Sequence, residues 1–240
     1  MAYPDVPPKL SLNRQYLARQ LAPHCVSAYN SSTPSPSYSQ LIQRRFFIDG
    51  PAGKLEAAVT DTGTERRGIA LVAHPHPLHG GTMDNKVVQT LAKTFARLGL
   101  ATFRVNFRGV GQSAGTFDEG IGETADMLAL AEHARREAGD LPILLAGFSF
   151  GAYVQTRVLE RIEARRLVLV APAVRRFAVG AVPPDTLVIH GERDEVVPLA
   201  DVFDWARPQN LPITVVPGAG HFFHGQLPLL GRIVADSCRC

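Results

Sequence analysis

The chain has 240 residues, 45% of them apolar and 20% charged, which suits one soluble domain with a continuous core, and no stretch reaches the roughly 18 apolar residues of a membrane span. The net charge of +3 belongs to the first 48 residues, where Lys9, Arg14, Arg19, Arg44 and Arg45 face Asp5 alone, and the remainder holds 20 basic and 21 acidic residues. A near-neutral body has no electrostatic footprint for nucleic acid or an anionic membrane, so neither is expected as a partner.

Residues 1–43 read as an arm and linker ahead of a domain at 44–240. Leu10, Leu17 and Leu21 predict a short helix over 10–21, and Ser31 to Ser39 is a Ser/Pro-rich stretch unable to bury apolar surface. This arm is expected to be poorly ordered. It lacks the apolar run of a secretory signal. It is acid-poor and carries arginine, as transit peptides do, but Pro4, Pro7 and Pro8 interrupt any helix there. Cys25, Cys238 and Cys240 contain no Cys-x-x-Cys pair and are odd in number. A reducing, cytoplasmic setting is therefore expected.

From Arg44 the pattern is regular. Strands are predicted at Arg45–Ile48 and Leu55–Val59, joined by the turn Asp-Gly-Pro-Ala-Gly, and a buried strand at Gly68–Ala73. Val87, Leu91, Phe95 and Leu98 carry helical spacing that Gly99 closes. A strand at Leu100–Val105, a helix at Glu123–Ala138, a strand at Pro142–Ala146 and a helix at Phe150–Ile162 follow. Further strands are expected at Leu167–Val170, Leu187–Ile189 and Ile213–Val216. Strands alternating with helices imply a doubly wound, mostly parallel α/β sheet, whose ligands gather at the carboxyl ends of the strands.

At one such end stands Gly147-Phe148-Ser149-Phe150-Gly151. A strand-to-helix turn this tight strains its central residue and lifts the hydroxyl clear of the sheet, while the flanking glycines let strand and helix pass closely. The next helix aims its N-terminal amides where an oxyanion would form. A serine hydroxyl needs a base, and the base an acid to fix its tautomer. Asp194 lies just beyond the strand at Leu187–Ile189, and His221 follows a glycine loop after the last strand. Asp201 is the reserve acid. His224 is the rival base, expected to face solvent on the following helix.

The sequence resembles the α/β-hydrolase superfamily, and specifically its small lid-less bacterial serine hydrolases. The likeness rests on Ala73-His-Pro-His-Pro-Leu-His-Gly-Gly81, Asn106-Phe-Arg-Gly-Val-Gly-Gln-Ser-Ala-Gly115, Gly147 to Gly151, Gly191 to Pro198 and His221, and spans roughly 44–235. It implies the α/β-hydrolase fold and hydrolysis of an ester or thioester through an acyl-serine, with no cofactor. Phe150 N–H is one expected oxyanion donor. Pro75 and Pro77 have no N–H, which leaves His76 as the second donor, as the family's His-Gly-x loop also suggests, with Leu78 as the alternative.

Three other readings compete. His74, His76 and His79 invite a zinc site, but the acid–histidine pair that such metallohydrolases supply next is missing. Gly109 to Gly115 resembles a dinucleotide loop but has the wrong spacing and no ribose-binding acid on the next strand; Arg108 within it is expected to shape the loop. A non-enzymatic scaffold would gain nothing from an intact Ser-Asp-His set. A peptidase or amidase of the same fold stays open. Only a short segment separates Pro172 from Thr186, where many relatives insert a cap. An uncovered site taking a small acyl substrate is therefore expected.

Overall fold

The computed structural model describes residues 40–63 and 65–239. The expected helix at 10–21 and the linker at 31–39 lie outside the described residues. Among the described residues eight strands form one sheet: β1 (Ile42–Gly50), β2 (Gly53–Asp61), β3 (Gly68–Ala73), β4 (Leu100–Val105), β5 (Ile143–Phe148), β6 (Arg166–Val170), β7 (Leu187–Gly191) and β8 (Ile213–Val216). Their order is β1-β2-β4-β3-β5-β6-β7-β8. β1 and β2 form a hairpin around Pro51 and Ala52, and β2 runs antiparallel to β4. Every other pairing is parallel.

Among the described residues five α-helices cover the sheet: α1 (Lys86–Arg97), α2 (Ile121–Ala138), α3 (Phe150–Leu159), α4 (Leu199–Ala206) and α5 (Leu227–Cys238). Alternation along the strands sorts the core. Ile69, Leu71 and Leu145 pack with Met127, Leu130, Val154 and Val158 of α2 and α3. Ala70, Val72, Leu144 and Val168 point the other way, onto Val88, Leu91 and Phe95 of α1 and Leu230 and Val234 of α5. The central strands are thus apolar on both faces, as parallel strands sandwiched by helices must be. Each fully buried aliphatic side chain contributes about 1.5–3 kcal/mol.

The helix starts have local causes. Asn85 Oδ1 accepts from Val87 N–H at 2.9 Å and caps α1. Glu123 reaches back to the amides of Gly120 and Asp118 at 2.7 and 2.9 Å, which starts α2 at Ile121, ahead of the expected Glu123. The N–H groups of Arg161 and Ile162 both converge on the Val158 carbonyl, and this tightened turn stops α3 at Leu159, short of the expected Ile162. β5 runs on to Phe148 because Gly147 and Phe148 pair with Leu169 and Val170 of β6. Between β6 and β7 the chain makes turns and no helix, so no cap domain is inserted there. No helix among the described residues is long and apolar enough to cross a membrane.

Candidate active site

The carboxyl ends of β3, β5, β7 and β8 share one edge of the sheet, and each opens into a loop that delivers a polar group. Ser149 lies between β5 and α3 with φ 56° and ψ −115°. Such angles are strained for a residue with a Cβ, and the fold imposes them through the close crossing of strand and helix. A Cβ on Gly147 would stand 2.3 Å from the Gly151 carbonyl oxygen. Ser149 N–H donates to the Val170 carbonyl at 2.9 Å, which ties the turn to β6. Gln155, one turn into α3, donates to the carbonyls of Ala146 and Leu71 at 2.9 and 2.8 Å and so locks helix, β5 and β3 together.

His221 bridges the other two residues. Its Nε2 is 3.0 Å from Ser149 Oγ and its Nδ1 is 2.7 Å from Asp194 Oδ2. All three side chains are buried. Asp194 Oδ1 accepts from the Val196 and Val197 amides at 2.9 and 2.7 Å. Burial pushes the Asp194 carboxyl up, but the bond from His221, the Val197 amide and the nearby imidazoles outweigh it, so the group stays below the usual carboxylate range. An ionised Asp194 fixes the His221 tautomer with Nδ1–H facing the acid and Nε2 free to accept the serine proton.

Asp201, the reserve acid, lies in the first turn of α4, 3.8 Å from Arg175 instead of beside His221. His224 is exposed as expected but sits in a turn, because α5 begins only at Leu227. Three supporting residues escaped the sequence reading. Glu192 Oε2 accepts from Gly218 N–H at 2.7 Å and Glu195 Oε2 from His221 N–H at 3.4 Å, so two acids that read as ordinary loop residues clamp the histidine loop. His190, on β7, is fully buried with Nε2 2.8 Å from the Val197 carbonyl and 3.4 Å from Asp194 Oδ2. Burial lowers its pKa against the opposing pull of Val197 and Asp194, which keeps the imidazole neutral. A histidine inside an otherwise apolar strand was its one sequence signal.

After β3, the Ala73–Gly81 loop faces Ser149. The His74 imidazole is fully buried, with Nε2 accepting from Phe107 N–H at 3.0 Å and Nδ1 2.6 Å from the Pro75 carbonyl. Burial lowers its pKa to about 4, the Pro75 carbonyl opposing. His76 Nδ1 accepts from Leu78 N–H at 3.2 Å, and the His76 carbonyl accepts from the amides of His79 and Gly81. Leu78 N–H is therefore engaged, and Leu78 itself is exposed. The His76 and Phe150 amides have no backbone acceptor among the described residues, which favours that pair as oxyanion donors. The lone pairs a cation would need on His74 and His76 are spent on protein donors. No three His, Cys, Asp or Glu side chains converge as a metal group among the described residues. Arg108 is bidentate to buried Asp126 at 3.1 and 2.8 Å and holds the Asn106–Gly115 loop in place.

A cleft of about 690 Å³ opens over Ser149 and His221. Its walls are Pro75, Phe150, Ala173, Phe177, Val196 and Phe222, with His76, His79, Asn85, Arg175 and Arg176 as polar groups. Phe177 packs on Phe150 and Tyr153, with ring centroids 5.0 and 4.9 Å apart, so the segment that replaces a cap forms one wall of the cleft.

The chain is similar to several known proteins. A family model described as serine aminopeptidase S33 matches residues 76–184. An α/β serine hydrolase homologue from Coxiella burnetii is 41% identical, covering 81% of this chain and 97% of its own, with a TM-score of 0.76. An α/β serine hydrolase without a lid from Xanthomonas campestris is 38% identical, covering 82% and 94%, with a TM-score of 0.77. An uncharacterised protein of Rickettsia prowazekii (strain Madrid E) is 31% identical over 207 residues, 80% of this chain and 87% of its own. With its eight-stranded sheet and its elbow serine, the chain belongs to the α/β serine hydrolases, a branch of the α/β-hydrolase superfamily.

Proposed function

We propose that this chain cleaves small carboxylic esters or thioesters through an acyl-serine intermediate, with Ser149 as nucleophile, His221 as base and Asp194 as the acid that orients it. The observation that carries this reading is the unbroken hydrogen-bond line from Asp194 through His221 to Ser149, 2.7 and 3.0 Å per link, at the mouth of the cleft. Ser149 Oγ attacks the acyl carbon as its proton passes to His221 Nε2. The carbonyl oxygen takes the negative charge and is held by the amides of His76 and Phe150. The tetrahedral adduct then expels the alcohol or thiol, which leaves with the proton from His221. Water repeats the sequence on the acyl-serine: it gives a proton to His221, attacks, and releases the carboxylic acid and free Ser149.

Esters and thioesters are favoured over amides because their better leaving groups need less positioning, which suits a site with no cap closing over it. The cleft has apolar walls in Phe150, Phe177, Val196 and Phe222, but no cap closes over them to enclose a long acyl chain. A panel of p-nitrophenyl acetate, butyrate and decanoate, butyryl thioester and aminoacyl p-nitroanilides tests the reading, with Ser149→Ala as control. Turnover of the short esters and the thioester is expected, falling towards decanoate. Anilide hydrolysis exceeding ester hydrolysis would overturn it in favour of a peptidase.

A further inference from the structure

The cleft beside Ser149 is lined by two arginines, Arg175 and Arg176, and by no Asp or Glu. Asp194 is buried behind His221 and presents no charge to the opening. The two guanidiniums are not equivalent. Arg175 faces Asp201 at 3.8 Å, whereas no carboxylate lies within 4 Å of Arg176 among the described residues. Instead Arg176 Nη1 donates to His79 Nε2 at 3.0 Å. That bond holds the guanidinium against the loop that carries His76, while its neighbour Phe177 is packed on Phe150 and Tyr153. One anchored cation, with its remaining N–H groups unspent, faces the space a substrate must occupy.

On the reading of the site as an ester or thioester hydrolase, we propose that Arg176, assisted by Arg175, selects substrates that carry a carboxylate on the acyl or the leaving group. A planar guanidinium matches a carboxylate in a two-point fork. A single uncompensated cation suits a monoanion better than a phosphate dianion, which would need further donors. The same lining opposes an aminopeptidase reaction, whose substrate brings a free ammonium and needs a carboxylate in the cleft to meet it. The positive field is also felt by His76, whose pKa falls to about 4 through burial first and then through His79 and Arg176.

Two substrate pairs test this. The acyl pair is p-nitrophenyl hexanoate against mono-p-nitrophenyl adipate, and the leaving-group pair is the butyrate ester of methyl 4-hydroxybenzoate against that of 4-hydroxybenzoate. The charged member of at least one pair should have the higher kcat/KM, mainly through KM. Its advantage should shrink as salt rises. In Arg176→Gln the charged-to-neutral ratio should fall about tenfold, as for loss of one charge-assisted bond at a partly wetted site. Arg176→Lys should restore part of it. Turnover of the neutral esters with no charge preference in either pair, or a preference that survives in the Arg175→Gln/Arg176→Gln double variant, would overturn the selectivity and leave the hydrolase reading standing. Failure of the folded protein to turn over any of the four esters would overturn both.

Discussion

Gly151 approaches Ala73 so closely that a Cβ on the glycine would lie 2.4 Å from the Ala73 carbonyl oxygen. This contact sets the spacing between α3, which presents Phe150 N–H, and the loop that presents His76 N–H. Both neighbours are backbone, so the clash cannot be relieved by a rotamer change. Gly151→Ala should therefore cost about 2–3 kcal/mol of stability and reduce kcat as the two proposed oxyanion donors are forced apart. A denaturant midpoint and kcat equal to those of the natural chain would contradict this.

The strain at Ser149 separates two inactive variants. Ser149→Ala should lose turnover by a factor on the order of 10⁶ while keeping the fold. Ser149→Gly should be equally inactive but at least as stable as the alanine variant, because glycine adopts φ 56° without the penalty of a Cβ. Glycine's larger unfolded-state entropy works against it, so a glycine variant less stable by about 1 kcal/mol would mean that the elbow stores little strain. Thermal unfolding of the two proteins measures the difference.

Asp194→Asn keeps an oxygen for the amides of Val196 and Val197 but turns an N–H₂ towards His221 Nδ1. The imidazole then favours the wrong tautomer, with its proton on Nε2. A loss in kcat of about 10⁴ with an unchanged circular dichroism spectrum is expected. Loss of less than tenfold would place the orienting role elsewhere.

The fold of the chain was legible in its sequence, and the site nearly so, for a physical reason: each of the main signals is local. Alternation buried on both faces marks the parallel strands from Gly68 onward. The Gly147–Gly151 turn is constrained within five residues. Asp194 and His221 each lie in a short loop that begins at a strand end. What escaped depends on contacts remote in sequence. Glu192 and Glu195 matter only because the loop of His221 folds back over them, and Arg176 only because its segment lies across the cleft from His79. That Leu78 N–H is already engaged by His76 Nδ1 depends on how the loop folds back on itself, and no spacing rule reports that. α4 was not read because the chain from Leu199 to Ala206 buries only Val202 and Ala206, too short a stripe to set a period.

Buried His74 predicts how stability changes with pH. Its folded pKa of about 4 lies below the ordinary 6.5, because burial and the amide of Phe107 at Nε2 require the neutral ring. Between these values the unfolded chain binds more protons than the folded one, so stability is full above about pH 6.5 and falls on acidification towards pH 4. His74 alone contributes roughly 3 kcal/mol across that window, at 1.36 kcal/mol per unit. Asp194, held below its usual range, adds a further loss at lower pH. Urea denaturation at pH 7 and pH 4.5 should show the decline, and His74→Gln should lessen it, leaving the share that His76 and His190 contribute in the same direction. A variant with the same slope as the natural chain would remove His74 as its source.

The most direct measurement of the central claim is labelling by a fluorophosphonate probe followed by peptide mass spectrometry on the folded chain. The account predicts one adduct, on Ser149, absent in Ser149→Ala and much slowed in His221→Ala. Folded protein that takes no label, or an adduct on another serine that survives the Ser149→Ala change, would contradict it.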